Sequence, residues 1–450
     1  MPGRRKSLLI VLDAARHDET HDALNASSLH ILRDAARVTL TAPSCWTVPS
    51  VASMLTGLFP SEHGRQWPLD GACPDVPTIA DLLERAGGSF LMLSGNNLCG
   101  PPLLPLRDDH VRRPHDRRRL TLGLQRCLCG LDYGSRTILR AVEGLADAHE
   151  LPHLLVLHLQ EAHHPYLPPP TGLWPASFDP SARARYGLGH LAYYLGRRAQ
   201  AWEFAAHADD RAWADARARY AECIRYVIGI AEGVLRAYER AGALDDTLAI
   251  ITADHGEHLG EHGLADHQAS LHEELLNCPC ALIAPQMQPD AVLPGRFQHT
   301  DLLPTICAWL GVPTEGWQPA CEALDLLDPA NARGHAHAFA EWAAWGGEQR
   351  AMLQRRNPSY DLAPLDRDLV AVRDDRWKLT RGSDGSEALF DLHTDPREQH
   401  DLSAREPEVV EALARELARW TRAVRAPSDK HPPEGDLAAV ELRLRELGYA

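Results

Sequence analysis

Short apolar runs punctuate this chain, and each stops abruptly at polar residues. Ser7-Leu-Leu-Ile-Val-Leu runs into Asp13, Phe90-Leu-Met-Leu-Ser runs into Gly95-Asn96, and Thr247-Leu-Ala-Ile-Ile-Thr-Ala runs into Asp254-His255-Gly256. Apolar runs of this length bounded by turn residues predict strands at 7–13, 89–94, 153–159, 246–252 and 279–284. Between them, apolar positions at helical spacing predict helices near 26–37, 49–56, 77–87, 212–241 and 302–310. Strands alternating with helices over this length predict an α/β fold built on a doubly wound, mostly parallel sheet.

Two segments, 101–150 and 167–211, are rich in Pro, Arg or Ala and show no clear period. Insertions of that kind are expected to lie over a site and shape its specificity. Past about residue 330 the character changes. Strand-like stretches at 369–373, 377–380 and 388–392 precede a helix near 405–424, so the expected organisation is one large domain over 1–330 and a small C-terminal α+β subdomain over 331–450.

A chain of 450 residues exceeds what one simple core usually holds, in keeping with that division. The net charge of −16 argues against a broad nucleic-acid-binding surface, while a local positive site can still attract a small anion. No run of about 18 apolar residues is present, so no membrane span is expected. The start, Met1-Pro-Gly-Arg-Arg-Lys6, leads straight into the first strand with no apolar leader segment, so a cytoplasmic location is expected. The 10 cysteines are scattered through a large chain and read as reduced and buried. Cys127-Leu-Cys129 and Cys278-Pro-Cys280 are too tightly spaced for the usual zinc-finger pattern. Cys45 and Cys99 stand close to the segments below and are expected near the pocket.

The chemistry concentrates at strand ends, where open α/β sheets place their sites. Thr47, in Ser44-Cys-Trp-Thr47-Val-Pro49-Ser50, stands where a helix starts after a strand and a turn. That position puts a hydroxyl at a positive helix end, suited to an anionic substrate. Asp13, Thr47, Asp254 and His255 together offer an oxygen-rich metal site with one nitrogen ligand. Plainer readings stand beside these: Asp13 and Thr47 as helix caps, Asn96 as a turn residue. Asp254 and His255 have the firmest case, because an adjacent buried acid and imidazole are costly without a cation. Arg16 and Asp18 are expected to pair, and His63 and His262 to brace turns.

Taken in order, these segments resemble the sulfatase branch of the alkaline phosphatase superfamily. Its members share a strand ending in Asp, a nucleophile followed by x-Pro-Ser and then Leu-Thr-Gly (here Leu55-Thr-Gly57), and an Asp-His-Gly or Asp-Asn-Gly near the far strands. The likeness also takes in Glu161-Ala-His163-His164-Pro-Tyr166, Leu259-Gly-Glu-His262-Gly, Asp266-His267, Thr300-Asp-Leu-Leu-Pro-Thr305, Arg376-Trp-Lys-Leu and Leu389-Phe-Asp-Leu-His-Thr-Asp395.

The departures are informative. Sulfatases of this pattern oxidise Cys or Ser to formylglycine in Cys-x-Pro-Ser-Arg, whereas here Thr47 holds that position and Val51 replaces the arginine. Threonine cannot become the aldehyde, since its β-carbon already carries a methyl group, and Cys45 lies two residues too early. Ala14 replaces the second aspartate of the sulfatase strand end. The resemblance then points to relatives that use an unmodified threonine on phosphoryl groups.

What it implies is a hydrolase or transferase of phosphodiesters, phosphomonoesters or phosphonates, in which Thr47 attacks while bound to one divalent ion (Mn, Zn, Ca or Mg) held with Asp13, Asp254 and His255. His163 and His267 would meet the substrate's oxyanions or leaving group, and Asn96 or Asn97 a non-bridging oxygen, with His164 and Tyr166 as further substrate contacts. A second ion on Glu161, His163 and His267 is the alternative arrangement. Two other functions stand beside this one: a sulfatase-like enzyme acting on sulfate or sulfamate esters without formylglycine, and a non-catalytic binding module. Loss of a metal ligand would have suggested the last, and Asp13, Asp254 and His255 are all present.

Overall fold

A computed structural model describes residues 5–66, 76–96, 98–101, 103–113, 132–164, 166, 210–285, 287–345, 350–351, 354–355 and 361–424. Its main sheet has eight strands, in the order Phe297–Gln298, Ala36–Thr41, Asn277–Ile283, Thr247–Ala253, Lys6–Leu12, Leu154–Leu159, Phe90–Ser94, Val111–Arg112. Only Asn277–Ile283 runs against its neighbours, so the sheet is mostly parallel. The central strand Lys6–Leu12 pairs Leu8 with Leu155 on one side and Ala249 on the other. Its last six residues are buried, which is why the run is apolar without alternation: helices cover both faces of such a strand.

Those helices fall into two sets. Asp210–Arg240 packs on Ser135–Asp147 and on His17–Asn25, while Thr47–Thr56, Ile79–Arg85 and Leu302–Leu310 pack on one another. Each set buries an apolar stripe at helical spacing, such as Ile224, Val227, Ile228, Ala231, Val234 and Leu235 of the long helix. The helix Ser135–Asp147 falls in a stretch whose sequence shows no clear period, and 167–209 lies outside the described residues.

One expected element is overturned. The stretch 26–37 is not a helix: helix His17–Asn25 ends before it, a single turn covers His30–Arg33, and Ala36–Thr41 is a strand paired antiparallel with Asn277–Leu282. The alternation of buried Ala36, Val38 and Leu40 with half-buried Arg37 and Thr39 is the period-two signal. Ladder pairing with Asn277–Ile283 outweighs the helical propensity of Leu-Arg-Asp-Ala-Ala-Arg.

Past the main sheet, Ala338–Trp342, Leu369–Arg373, Trp377–Gly382 and Glu387–Asp391 form a four-stranded antiparallel sheet under the helix Pro407–Val424. Its first strand carries no expectation from the sequence. Val410, Leu413, Leu417 and Trp420 of that helix pack with Val372, Leu379 and Leu389, and Phe59 from the large unit joins them. The two units are also tied by polar groups: Ser61 N–H donates to Glu341 Oε1 at 2.7 Å. Lys378, almost wholly buried, pairs with Glu273 at 3.0 Å and Glu398 at 2.9 Å. Among the described residues no helix is long and apolar enough to cross a membrane, and no cysteine is in a disulfide.

Candidate active site

The C-terminal ends of Lys6–Leu12, Leu154–Leu159, Phe90–Ser94 and Thr247–Ala253 open onto one edge of the sheet, and the residues just beyond them meet there. Asp13 lies fully buried, its N–H donating to Leu159 O at 2.9 Å and its Oδ2 accepting from Asn96 Nδ2 at 2.8 Å. The backbone then turns at Ala14 in the left-handed region, φ 56°, which aims the Ala14 N–H at Asp254 Oδ1, 3.0 Å away. Asp254 Oδ1 also accepts from the His255 N–H at 2.9 Å.

The hydroxyl arrives from the other side. Thr47 is the first residue of the helix Thr47–Thr56, and Trp46 before it is extended and supplies no side-chain cap. The first N–H groups of a helix have no partner within it, so an anion beyond such a start is favoured. Thr47 Oγ1 lies 3.4 Å from Asp13 Oδ1 and 3.3 Å from His255 Nε2. His255 Nδ1 is 2.8 Å from Gly256 O, a contact that places the proton on Nδ1 and turns the Nε2 lone pair toward Thr47, Asp13 at 3.8 Å and Asp254 at 3.5 Å. Gly256 has no room for a side chain, since a Cβ there would stand 1.9 Å from Glu274 O.

Two carboxylates this close in a dry site repel. Burial, then the Asp254 charge, push Asp13 up to about 7, although His158 and the Asn96 hydrogen bond favour its charged form. Burial opposes ionisation of Asp254 as well, but His255, His158 and the Ala14 N–H hold it well below the usual carboxylate range. Burial brings His255 down to about 3, against the pull of Asp254, so its ring is neutral. Two buried carboxylates, a neutral imidazole nitrogen and a hydroxyl, all converging, form a donor set that suits a divalent cation. Without one, the carboxylates must share a proton or pay for unpaired charge.

His158 is a member that sequence reasoning missed. It lies in the strand Leu154–Leu159, fully buried, with Nε2 3.4 Å from Asp254 Oδ2 and Nδ1 4.0 Å from Asp13 Oδ2. Asp13, His158 and Asp254 can bring one donor atom each within 4.8 Å of one another. The available signal was a lone imidazole in an otherwise apolar strand.

A second group adjoins the first, with the His255 and His267 rings 4.4 Å apart between centroids. His267 Nδ1 is 2.8 Å from Asp266 Oδ1 and 3.2 Å from Glu257 Oε1. Burial opposes charge on His267, yet Asp266 and Glu257 hold its pKa well above that of an ordinary histidine. The His163 ring packs edge-on against His267 at 4.9 Å, and His164 Nδ1 is 3.6 Å from Asp266 Oδ1. Tyr166 packs edge-on against Tyr220 at 5.5 Å beside this group, and Asn97 lies outside the described residues.

Glu161 does not join His163 and His267, which corrects the ligand set drawn for a second ion. Its carboxylate caps the helix Ser135–Asp147 instead, accepting from Tyr133 N–H at 2.9 Å and Ser135 Oγ at 2.5 Å. Orphan donors at a helix start are a strong lure for a buried carboxylate. Arg16 pairs with Asp18 at 2.7 Å and with Glu261 at 2.9 Å. His63 bridges Ser53 Oγ at 3.0 Å and the Arg65 N–H at 3.1 Å. Cys45 and Cys99 are both buried.

Comparison with known proteins gives the chain a family. Residues 32–312 match the family model described as Sulfatase. The chain is similar to arylsulfatase K of Bos taurus, 26% identical over 44% of this chain and 35% of that one. It is also similar to the multifunctional alkaline phosphatase superfamily protein PehA of Trinickia caryophylli, 28% identical over 45% of this chain and 39% of that one. The matched stretch thus spans well under half the length of either relative. Among solved structures, a phosphonate monoester hydrolase from Silicibacter pomeroyi superposes with a TM-score of 0.66 at 20% identity, covering 93% of this chain and 94% of that one, a likeness of fold.

Proposed function

This chain belongs to the sulfatase family, within the alkaline phosphatase superfamily, and from that premise we infer that it hydrolyses or transfers phosphate or phosphonate esters through Thr47. The observation that carries this reading is the meeting of Thr47 Oγ1 with Asp13 and His255 at a helix start, where a formylglycine-forming residue would otherwise stand. A threonine hydroxyl is a poor nucleophile at neutral pH and needs activation. Asp13, Thr47, Asp254 and His255 would hold a divalent cation, which would supply it by lowering the hydroxyl's pKa and offsetting charge on the ester.

The remaining work falls to the chain itself. Thr47 Oγ1 forms a bond to phosphorus as the bond to the leaving oxygen breaks, and water or an acceptor alcohol then displaces the phosphoryl group from threonine. The helix start at Thr47 turns its positive end toward the anionic group. His267 presents positive charge to the substrate's oxygens, His163, whose pKa burial and the His267 charge lower, packs its ring beside it, Asn96 holds Asp13 in place and lies within reach of a non-bridging oxygen, and His164 and Tyr166 line the approach. The substrate is a small anionic ester, in keeping with a net charge of −16 that repels polyanions. A cytoplasmic location fits a chain whose cysteines are unbridged among the described residues.

The names of relatives such as arylsulfatase K and choline-sulfatase favour a second reading, sulfate-ester hydrolysis by the same hydroxyl. A panel of aryl phosphate mono- and diesters, phosphonates and sulfates, assayed with Mn²⁺, Zn²⁺, Mg²⁺ and Ca²⁺, separates the two. Phosphorus esters should turn over fastest, Thr47→Ala should abolish turnover with the fold intact, and Thr47→Ser should keep part of it. Sulfate turnover alone, or an active Thr47→Ala protein, overturns the reading.

A further inference from the structure

A strand end that presents a carboxylate has to turn sharply, and here the turn is strained. Ala14, directly after Asp13 and wholly buried, has φ 56°, in the left-handed region that crowds any residue carrying a Cβ. Strain of that kind persists only where the surroundings hold it.

Tyr220 supplies the hold. From the helix Asp210–Arg240, fully buried, its hydroxyl donates to Ala14 O at 2.6 Å and accepts from the Arg16 N–H at 2.7 Å, so one oxygen closes the turn. Ala14 is thereby fixed at both of its polar groups, since its N–H donates to Asp254 Oδ1 at 3.0 Å. If φ returned to the negative side, that N–H could not face Asp254 while the chain ran on to Arg16 as it does. The Arg16 guanidinium carries the hold further, reaching Glu257 O at 3.3 Å and Glu261 Oε1 at 2.9 Å on the segment that follows His255. The Tyr220 ring has a separate contact, edge-on with Tyr166 at 5.5 Å, and the Tyr166 hydroxyl bonds to Glu257.

We propose that Tyr220 is a positioning residue for the Thr47 centre: its hydroxyl keeps Ala14 left-handed, and Ala14 in turn sets the directions of Asp13 and Asp254. The role rests on the ester-transfer reading and deepens it, because the two carboxylates that would hold the cation are the groups this turn aims. Tyr220 is neither nucleophile nor ligand and acts through the backbone. Loss of its hydroxyl leaves Ala14 O and the Arg16 N–H without that partner in a dry place, and relaxation of the turn is the relief open to them.

Tyr220→Phe removes the oxygen and keeps the ring on Tyr166. Measured on the full chain at a temperature where circular dichroism shows it folded, this variant should lower kcat on the best ester of the panel at least about tenfold with KM unchanged, and weaken Zn²⁺ binding in calorimetry at least about tenfold. A role in stability alone would lower the melting temperature and leave both unmoved. Glycine takes positive φ without steric cost, so adding Ala14→Gly should bring kcat and Zn²⁺ affinity back toward wild type. Wild-type kcat and Zn²⁺ affinity in Tyr220→Phe, or losses that Ala14→Gly leaves in place, overturn the proposal, while an active wild type keeps the ester reading. Should Tyr220→Phe fail to fold, the double variant decides, since an unfolded or inactive Tyr220→Phe/Ala14→Gly overturns the proposal as well. A wild type that binds Zn²⁺ but turns over no ester overturns the reading, and the affinities alone then judge the turn. A wild type that does neither overturns both.

Discussion

Gly256 stands between His255 and the turn Glu273–Leu276, with its N–H donating to Leu275 O at 2.8 Å. A methyl group at this position would meet Glu274 O at 1.9 Å, Glu274 C at 2.9 Å and Leu275 Cα at 3.3 Å. The obstruction is backbone, which cannot swing aside as a side-chain tip does. Reaching ordinary contact requires the two segments to part by about 1.5 Å, and overpacking of this kind costs about 1–3 kcal/mol. The opening is transmitted directly, because the Gly256 carbonyl is the group that holds His255 Nδ1.

A displacement near 1 Å in a positioned catalytic group costs on the order of 100-fold in rate. Gly256→Ala should therefore remain folded, with a lower melting temperature, and should lose at least about 100-fold in kcat together with cation affinity at the Thr47 centre. The assay pairs kcat on the best ester of the panel with zinc stoichiometry by mass spectrometry. Wild-type kcat and stoichiometry in Gly256→Ala would refute the claim that this close packing sets the His255 position.

Other expectations follow from groups away from the hydroxyl. Lys378→Met leaves the Glu273 and Glu398 carboxylates buried without their ammonium, and should cost about 3–5 kcal/mol in urea unfolding; a loss below about 1 kcal/mol would show the triad to be unimportant. Burial, helped by Arg65, takes His63 down to about 3, below the ordinary value of 6.5. Above pH 6.5 the ring is neutral folded or unfolded, and as pH falls the unfolded chain takes up a proton that the native state refuses, so stability drops from about pH 6.5 toward pH 3. His63→Gln should flatten that slope in melting curves recorded between pH 7 and 4, and an unchanged slope refutes the assignment. Chelation should lower the melting temperature by several degrees, since a cation at 100 times its Kd contributes about 2.7 kcal/mol. Its return should restore the loss, and a melt indifferent to chelator would deny the carboxylate pair its ion.

The sequence carried the strand ends well because a fully buried parallel strand is an unbroken apolar run, and a carboxylate directly after it is conspicuous, as at Asp13 and Asp254. Asn96 was legible for the same reason. Ala36–Thr41 was not, since Ala and Arg favour helix locally and only pairing with Asn277–Ile283 decides otherwise. Glu161 was misplaced because nearness in sequence to His163 says nothing of direction: its carboxylate turns back to the helix at Ser135. His158 shows the converse, a polar residue inside a strand whose partners, Asp13 and Asp254, come from far along the chain. Asp266 and Glu257 acquire meaning only once folding sets them on either side of His267.

The place of Lys6–Leu12 at the middle of the sheet bears on how the molecule is made. Leu8 must wait for Leu155 and then Ala249 to be translated before both its edges are covered. At ribosomal speed that is roughly 10–50 s during which a sticky, two-edged strand trails from the tunnel mouth. Overexpression should tax holding chaperones early in synthesis, and slowing translation upstream of Thr247 should increase insoluble product more than slowing it downstream of Ile283.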